Sequence, residues 1–218
     1  DEVGRGPLAG PVVAASASLH VKKYSKAEII KILEQWSKQG VTDSKKLKEK
    51  KRQYILSTFP GLSPYLENQL RFSDDQYYSY HYSKNIELKI SIKQISPKII
   101  DKINILNASL MAMKQSFLES CDDNSAGVVL IDGNKKFKCD LAEVNLETVI
   151  KGDAKSLLIG LASIAAKEFR DQLMKAYDLK FPGYDLAKNA GYPTPKHFEA
   201  SGILGITEIH RKTFKGVK

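Results

Sequence analysis

The stretch from Ala154 to about Tyr177 does most to limit the folds open to this 218-residue chain. It reads as one long helix, and Ala162, Ala165 and Ala166 strip bulk from it so that its backbone can approach a sheet closely. Two short apolar runs stand ahead of it. Gly127 to Ile131 (GVVLI) is β-branched and ends in a turn, the pattern of a central, buried strand with Asp132 at its carboxyl end. Val144 to Ile150 reads as a second strand, leading through Lys151-Gly152-Asp153 into the helix. Strand, strand and long helix together point to an α/β architecture.

Upstream, a glycine-rich turn (Gly4, Gly6, Pro7, Gly10, Pro11) runs into Val12 to Leu19, a mostly buried strand, and a further strand is expected ahead of Asp1 in the parent gene. Ile29, Ile30, Ile32, Leu33 and Trp36 recur at helical spacing between Lys26 and Lys38, and Gly40 ends that helix. A second helix is expected from Asp43 and Ser44 to about Thr58. Tyr65 to Phe72 and Ile86 to Ile95 alternate in part, as strands do, and the tyrosines between them (Tyr77, Tyr78, Tyr80, Tyr82) are assigned to helix. Pro97 to Cys121 reads as one broken helix or two consecutive ones. Beyond Pro182 the chain is rich in loops, with short helices expected around Pro195 to Ala200 and Thr207 to Phe214. With no internal repeat, the reading is one catalytic domain over 1–180 and a helical extension over 181–218.

Composition removes several classes. Hydrophobic residues at 42% and charged residues at 27% are globular values. No apolar run approaches the roughly 18 residues of a membrane span, and the first residues lack a secretory signal. Cys121 and Cys139, without a CxxC or Cys/His cluster, support neither a disulfide framework nor a zinc site, so a reducing, cytoplasmic setting is expected. A net charge of +9 leans toward a polyanionic partner, and the Lys45 to Arg52 run (KKLKEKKR) concentrates it.

Asp1-Glu2, Asp132 and Asp153 fall at strand ends or helix starts, where α/β proteins build ligand sites. Spacing alone does not bring them together. Should they converge, their mutual repulsion calls for a hard divalent cation such as Mg²⁺, and the fitting chemistry is metal-assisted phosphoryl transfer. A glycosidase would need no basic surface, and no G-x-S-x-G, zinc spacing, Walker or dinucleotide fingerprint is present.

Seven segments, in one order, carry a resemblance: DEVGRGPLAGPVVAA, TDSKKL, LIDGN, KGDAKS, ASIAAKEFRD, GYPTPKH and HRKTF. Together they closely resemble the bacterial ribonuclease HII family and span nearly the whole chain. The resemblance implies an RNase H-like fold, a central mixed sheet flanked by helices, with a helical C-terminal extension that grips the duplex. It implies cutting of the RNA strand of RNA/DNA hybrids and incision at single ribonucleotides in duplex DNA, leaving a 3′-hydroxyl and a 5′-phosphate.

By position, Asp1, Glu2, Asp132 and Asp153 match the family's metal-binding carboxylates, which take Mg²⁺ or Mn²⁺. Gly4, Arg5 and Gly6 match the tripeptide that reads the ribose 2′-hydroxyl, Tyr192 the tyrosine that stacks on the neighbouring deoxyribose, and Lys45 a phosphate-contacting lysine. Arg170, His210 and Arg211 also lie in family motifs. The partner is then a hybrid or ribonucleotide-containing duplex, bound by a monomer without a membrane. Two alternatives stand beside this: a ribonuclease HIII-like enzyme and a non-catalytic hybrid-binding module. Glu168-Phe169 before Arg170, and insertions within Lys22 to Lys38, depart from the family pattern.

Overall fold

The computed structural model describes residues 1–59, 62, 75–122 and 126–217. Strands β1 (Glu2–Val3), β2 (Val12–Val21), β3 (Gln76–Ser83) and β4 (Ile86–Ile95) form an antiparallel sheet in the order β1-β2-β4-β3. Strands β5 (Gly127–Asp132) and β6 (Val144–Val149) form a separate parallel pair. Both kinds of pairing expected of a mixed α/β fold are therefore present, in two hydrogen-bonded groups.

Alternation along β2 divides the core in two. Val13 and Ala15 face one way, against helix α5 (Leu157–Lys180), helix α1 (Lys26–Gln39) and helix α2 (Glu49–Ser57). Val12 and Ala14 face the other, against α3 (Pro97–Ile103) and α4 (Ile105–Glu119), with Ile131 and Phe137 completing that layer. Ala162, Ala165 and Ala166 are buried against the sheet, so the alanine face does what the sequence suggests. Helices α6 (Leu186–Asn189) and α7 (Pro195–Leu204) follow α5. Among the described residues no helix is long and apolar enough to cross a membrane.

Four expectations need correction. The tyrosine-rich stretch is strand β3, because Tyr78, Tyr80 and Tyr82 recur every second residue and share a half-buried face. Tyr82 accepts a hydrogen bond from Trp36 Nε1 at 2.7 Å. The second helix is interrupted: Asp43 caps a single 3₁₀ turn, Ser44–Lys46, before α2 starts at Glu49. Thr207 to Phe214 is not a helix, since the Asp101 carboxylate takes the N–H groups of Lys212 and Thr213 that a helix would use internally. The strand GVVLI is not buried on both faces, as Val128 is 60% and Leu130 37% exposed. It faces β2 across an apolar groove of about 270 Å³ lined by Ala15 to Leu19, Phe117 and Val128 to Ile131, with Asp1 on its rim. The expected strand Tyr65 to Phe72 lies outside the described residues.

Candidate active site

Three backbone devices deliver three carboxylates to one point. Strand β1 holds Asp1 through a reciprocal pair of 3.0 Å hydrogen bonds with Ala15. Asp132 is the last residue of β5, and its Oδ1 accepts from the Gly152 N–H at 2.6 Å. That bond fixes the 3₁₀ turn Gly152–Ala154 carrying Asp153, which Lys151 enters in the left-handed region at φ 56°. Carboxylate oxygens of Asp1, Asp132 and Asp153 consequently lie within 4.8 Å of one another.

Glu2 lies next to this group without joining it. Neighbours on a strand point to opposite sides, and its Oε1 instead lies 3.5 Å from Arg5 Nη1. Its Oε2 is buried without a hydrogen-bond partner. Burial pushes the Glu2 carboxyl above the usual carboxylate range, opposed by Arg5 and aided by Asp132. Asp153 is pushed up as well, first by burial, then by Asp43 and Asp132. The sequence marks Asp43 only as a helix start; its second task, facing Asp153, depends on a tertiary contact that no local pattern announces. Exposed Lys45 opposes that upward shift and sits on the same turn.

The glycine turn follows β1 directly, and Arg5 within it reaches back to Glu2. Gly4 adopts φ +88°, and a Cβ there would meet Arg170 Nε at 2.2 Å, so both conformation and space demand glycine. A Cβ on Gly6 would stand 3.3 Å from Tyr192 Cε1: the backbone of the turn and the tyrosine ring are neighbours. Arg5 and Tyr192 are exposed, so the turn presents a cation and an aromatic ring outward. Of the nine residues to which the resemblance gives roles, Asp1, Asp132 and Asp153 converge, Glu2 and Lys45 lie next to them, and Gly4, Arg5, Gly6 and Tyr192 form a separate surface.

Beneath this surface lie two buried arginines. Arg170 donates to the carbonyls of Pro11, Ala9 and Ala190, and Arg211 to those of Gly10, Arg5 and Gly4. Burial lowers them to about 10 and about 9, Arg211 also through Arg170, so both stay charged near neutrality.

A family model described as "Ribonuclease HII" matches residues 1–217. The chain belongs to the ribonuclease HII family. A curated ribonuclease HII from Desulfotalea psychrophila is 41% identical over 219 residues, covering all of this chain and 80% of that protein. Among solved structures, "Structure of the PCNA:RNase HII complex from Archaeoglobus fulgidus" contains a chain that superposes with a TM-score of 0.64. That match covers 99% of this chain and 93% of the other at 19% identity, and it bears on the fold alone.

As a ribonuclease HII the chain is an endoribonuclease of the RNase H type, acting on RNA/DNA hybrids with a divalent metal. The donor set fits such an ion: oxygen ligands only, three carboxylates within reach of one centre, and an unpartnered buried oxygen on Glu2 beside them.

Proposed function

We propose that this ribonuclease HII cuts the RNA strand of hybrids and also incises on the 5′ side of single ribonucleotides in duplex DNA, leaving a 3′-hydroxyl and a 5′-phosphate. The observation that carries the reading is the cluster of the Asp1, Asp132 and Asp153 carboxylates, joined through β1 and the Arg5–Glu2 pair to the turn Gly4–Gly6, which packs on Tyr192. A duplex laid across both would place a ribose at the turn and its phosphate at the carboxylates.

In this reading Asp1, Asp132 and Asp153, with Glu2 alongside, hold Mg²⁺ or Mn²⁺. Bound ions of this kind, in a pair, activate water and stabilise the leaving oxygen of an in-line displacement. The chain's own residues do the rest. The Gly4–Gly6 backbone meets the 2′-hydroxyl, the one sugar group that separates RNA from DNA. The exposed face of Tyr192 stacks on the next deoxyribose, and Lys45, on the turn facing Asp153, holds a flanking phosphate.

The test is cleavage of three duplexes, one with a single ribonucleotide, one all DNA and one a continuous hybrid, in Mg²⁺, Mn²⁺ or EDTA. Metal-dependent incision 5′ of the lone ribonucleotide, with the all-DNA duplex intact, is the expected result. Cutting of the hybrid alone would remove the single-ribonucleotide activity. Affinity without cleavage in saturating Mn²⁺ would leave a binding module.

A further inference from the structure

We propose that Arg211 is the positioning residue that sets ribose discrimination, with His210 beside it bracing the stacking tyrosine; the inference rests on the ribose-reading role given above to Gly4–Gly6 and Tyr192. In a trans peptide the C=O and the following N–H point in opposite directions. Arg211 Nη2 draws the Gly4 carbonyl inward at 2.6 Å and Nη1 draws that of Arg5 at 3.0 Å. The N–H groups of Arg5 and Gly6 are thereby turned to the opposite, exposed side of the turn. Two consecutive donors, aimed the same way by one buried guanidinium, form a fixed concavity for an oxygen acceptor.

A lysine could not do this. Arg211 reaches a third carbonyl, Gly10, through Nε at 2.9 Å, so its bonds leave three separate nitrogens of one plane, whereas the three donors of an ammonium all radiate from a single nitrogen. The segment carrying Arg211 is itself tied to the turn: Arg211 N donates to Leu8 O at 2.8 Å and Gly10 N to Ile209 O at 2.9 Å. Asp101 on α3 secures its far side through Lys212 N, Thr213 N and Thr213 Oγ1.

His210 extends the brace to Tyr192. Its Nδ1 accepts from the Thr207 N–H at 3.0 Å and so carries no proton. The proton is on Nε2, which donates to His197 Nε2 at 3.2 Å, and His197 then donates from Nδ1 to Tyr192 O at 3.0 Å. Both neutral tautomers are fixed by a single backbone N–H. Residues 210 and 211 thus brace the two parts of the ribose-reading surface from one turn.

The experiment is binding without chemistry: fluorescence anisotropy in EDTA, comparing a duplex containing one ribonucleotide with the same duplex in all DNA, for the wild type, Arg211→Lys and Asp101→Ala. The wild type should prefer the ribonucleotide. Arg211→Lys should lose about tenfold or more of that preference, the scale of charged hydrogen bonds lost, while affinity for all-DNA duplex holds. A purely structural arginine would lower the melting temperature and leave the ratio alone, which would overturn the inference and leave the proposed function standing. No preference in the wild type would sink the ribose-reading role and the inference with it. Should Arg211→Lys fail to fold, Asp101→Ala, altered at an exposed hydrogen-bond site, decides: a loss of roughly threefold supports the brace, and an unchanged ratio overturns it.

Discussion

The two sides of the site are held in different ways. The Gly4–Pro11 turn is fixed from below by two buried guanidiniums that together take six carbonyls, five of them its own. Asp132, by contrast, comes from a strand paired with β6, whose Val128 and Leu130 stay exposed beside an apolar groove. The braced side presents groups to a sugar, where geometry decides recognition. The lightly held side presents Asp132, whose place depends on the β5–β6 pairing and on its bond from the Gly152 N–H.

The contrast can be broken most severely on the lightly held side. Asp132→Asn should reduce cleavage of a hybrid by at least about 100-fold, a loss on the scale of removing charge stabilisation from a reacting phosphate. Gel assays of the folded variant check this; near wild-type cutting would remove Asp132 from the chemistry. Next in size, Gly4→Ala should destabilise the protein by roughly 2–4 kcal/mol in urea unfolding, because it combines φ +88° with a Cβ placed against Arg170. A loss under about 0.5 kcal/mol would show that the turn gives way easily.

A third effect depends on pH. Burial and His197 hold His210 at about 4, below its ordinary 6.5. Between those values the unfolded chain binds a proton that the folded chain refuses, so this contribution is complete above pH 6.5 and fades as pH falls toward 4. Melting curves across that interval should fall more steeply for the wild type than for His210→Gln; parallel curves would remove His210 as the cause. The smallest change is expected at the exposed β5 position: Val128→Thr should shift stability by no more than about 0.5 kcal/mol. A larger loss in the same urea assay would mean that this strand is held more firmly than its exposure indicates.

Much of this was legible in the sequence, for identifiable reasons. Asp132 and Asp153 could be singled out because strand ends and turns leave local signatures, and the alanine face of α5 announced its contact with a sheet. Seven segments in one order carry the family resemblance, the opening DEVGRGPLAGPVVAA being the most specific of them. Asp43 was not legible as a neighbour of Asp153, since a capping aspartate looks the same whether or not a second carboxylate faces it. The sequence at 207–214 reads as a helix because nothing local reveals that Asp101, over 100 residues away, supplies its hydrogen bonds. Strand β3 is written in the period of two of Tyr78, Tyr80 and Tyr82, which the neighbouring Tyr77 obscures. The buried role of Arg211 was equally invisible, because charge predicts exposure unless carbonyls from elsewhere surround it.

The central claim is that Asp1, Asp132 and Asp153 form one divalent-metal centre that serves cleavage. Titration of the folded protein with Mn²⁺, following the free ion by electron paramagnetic resonance, tests it most directly when wild type and Asp153→Asn are compared. Tight uptake by the wild type, weakened at least about tenfold in the variant together with loss of cleavage, is the expected result. Equal uptake by both would place the metal elsewhere and contradict the account.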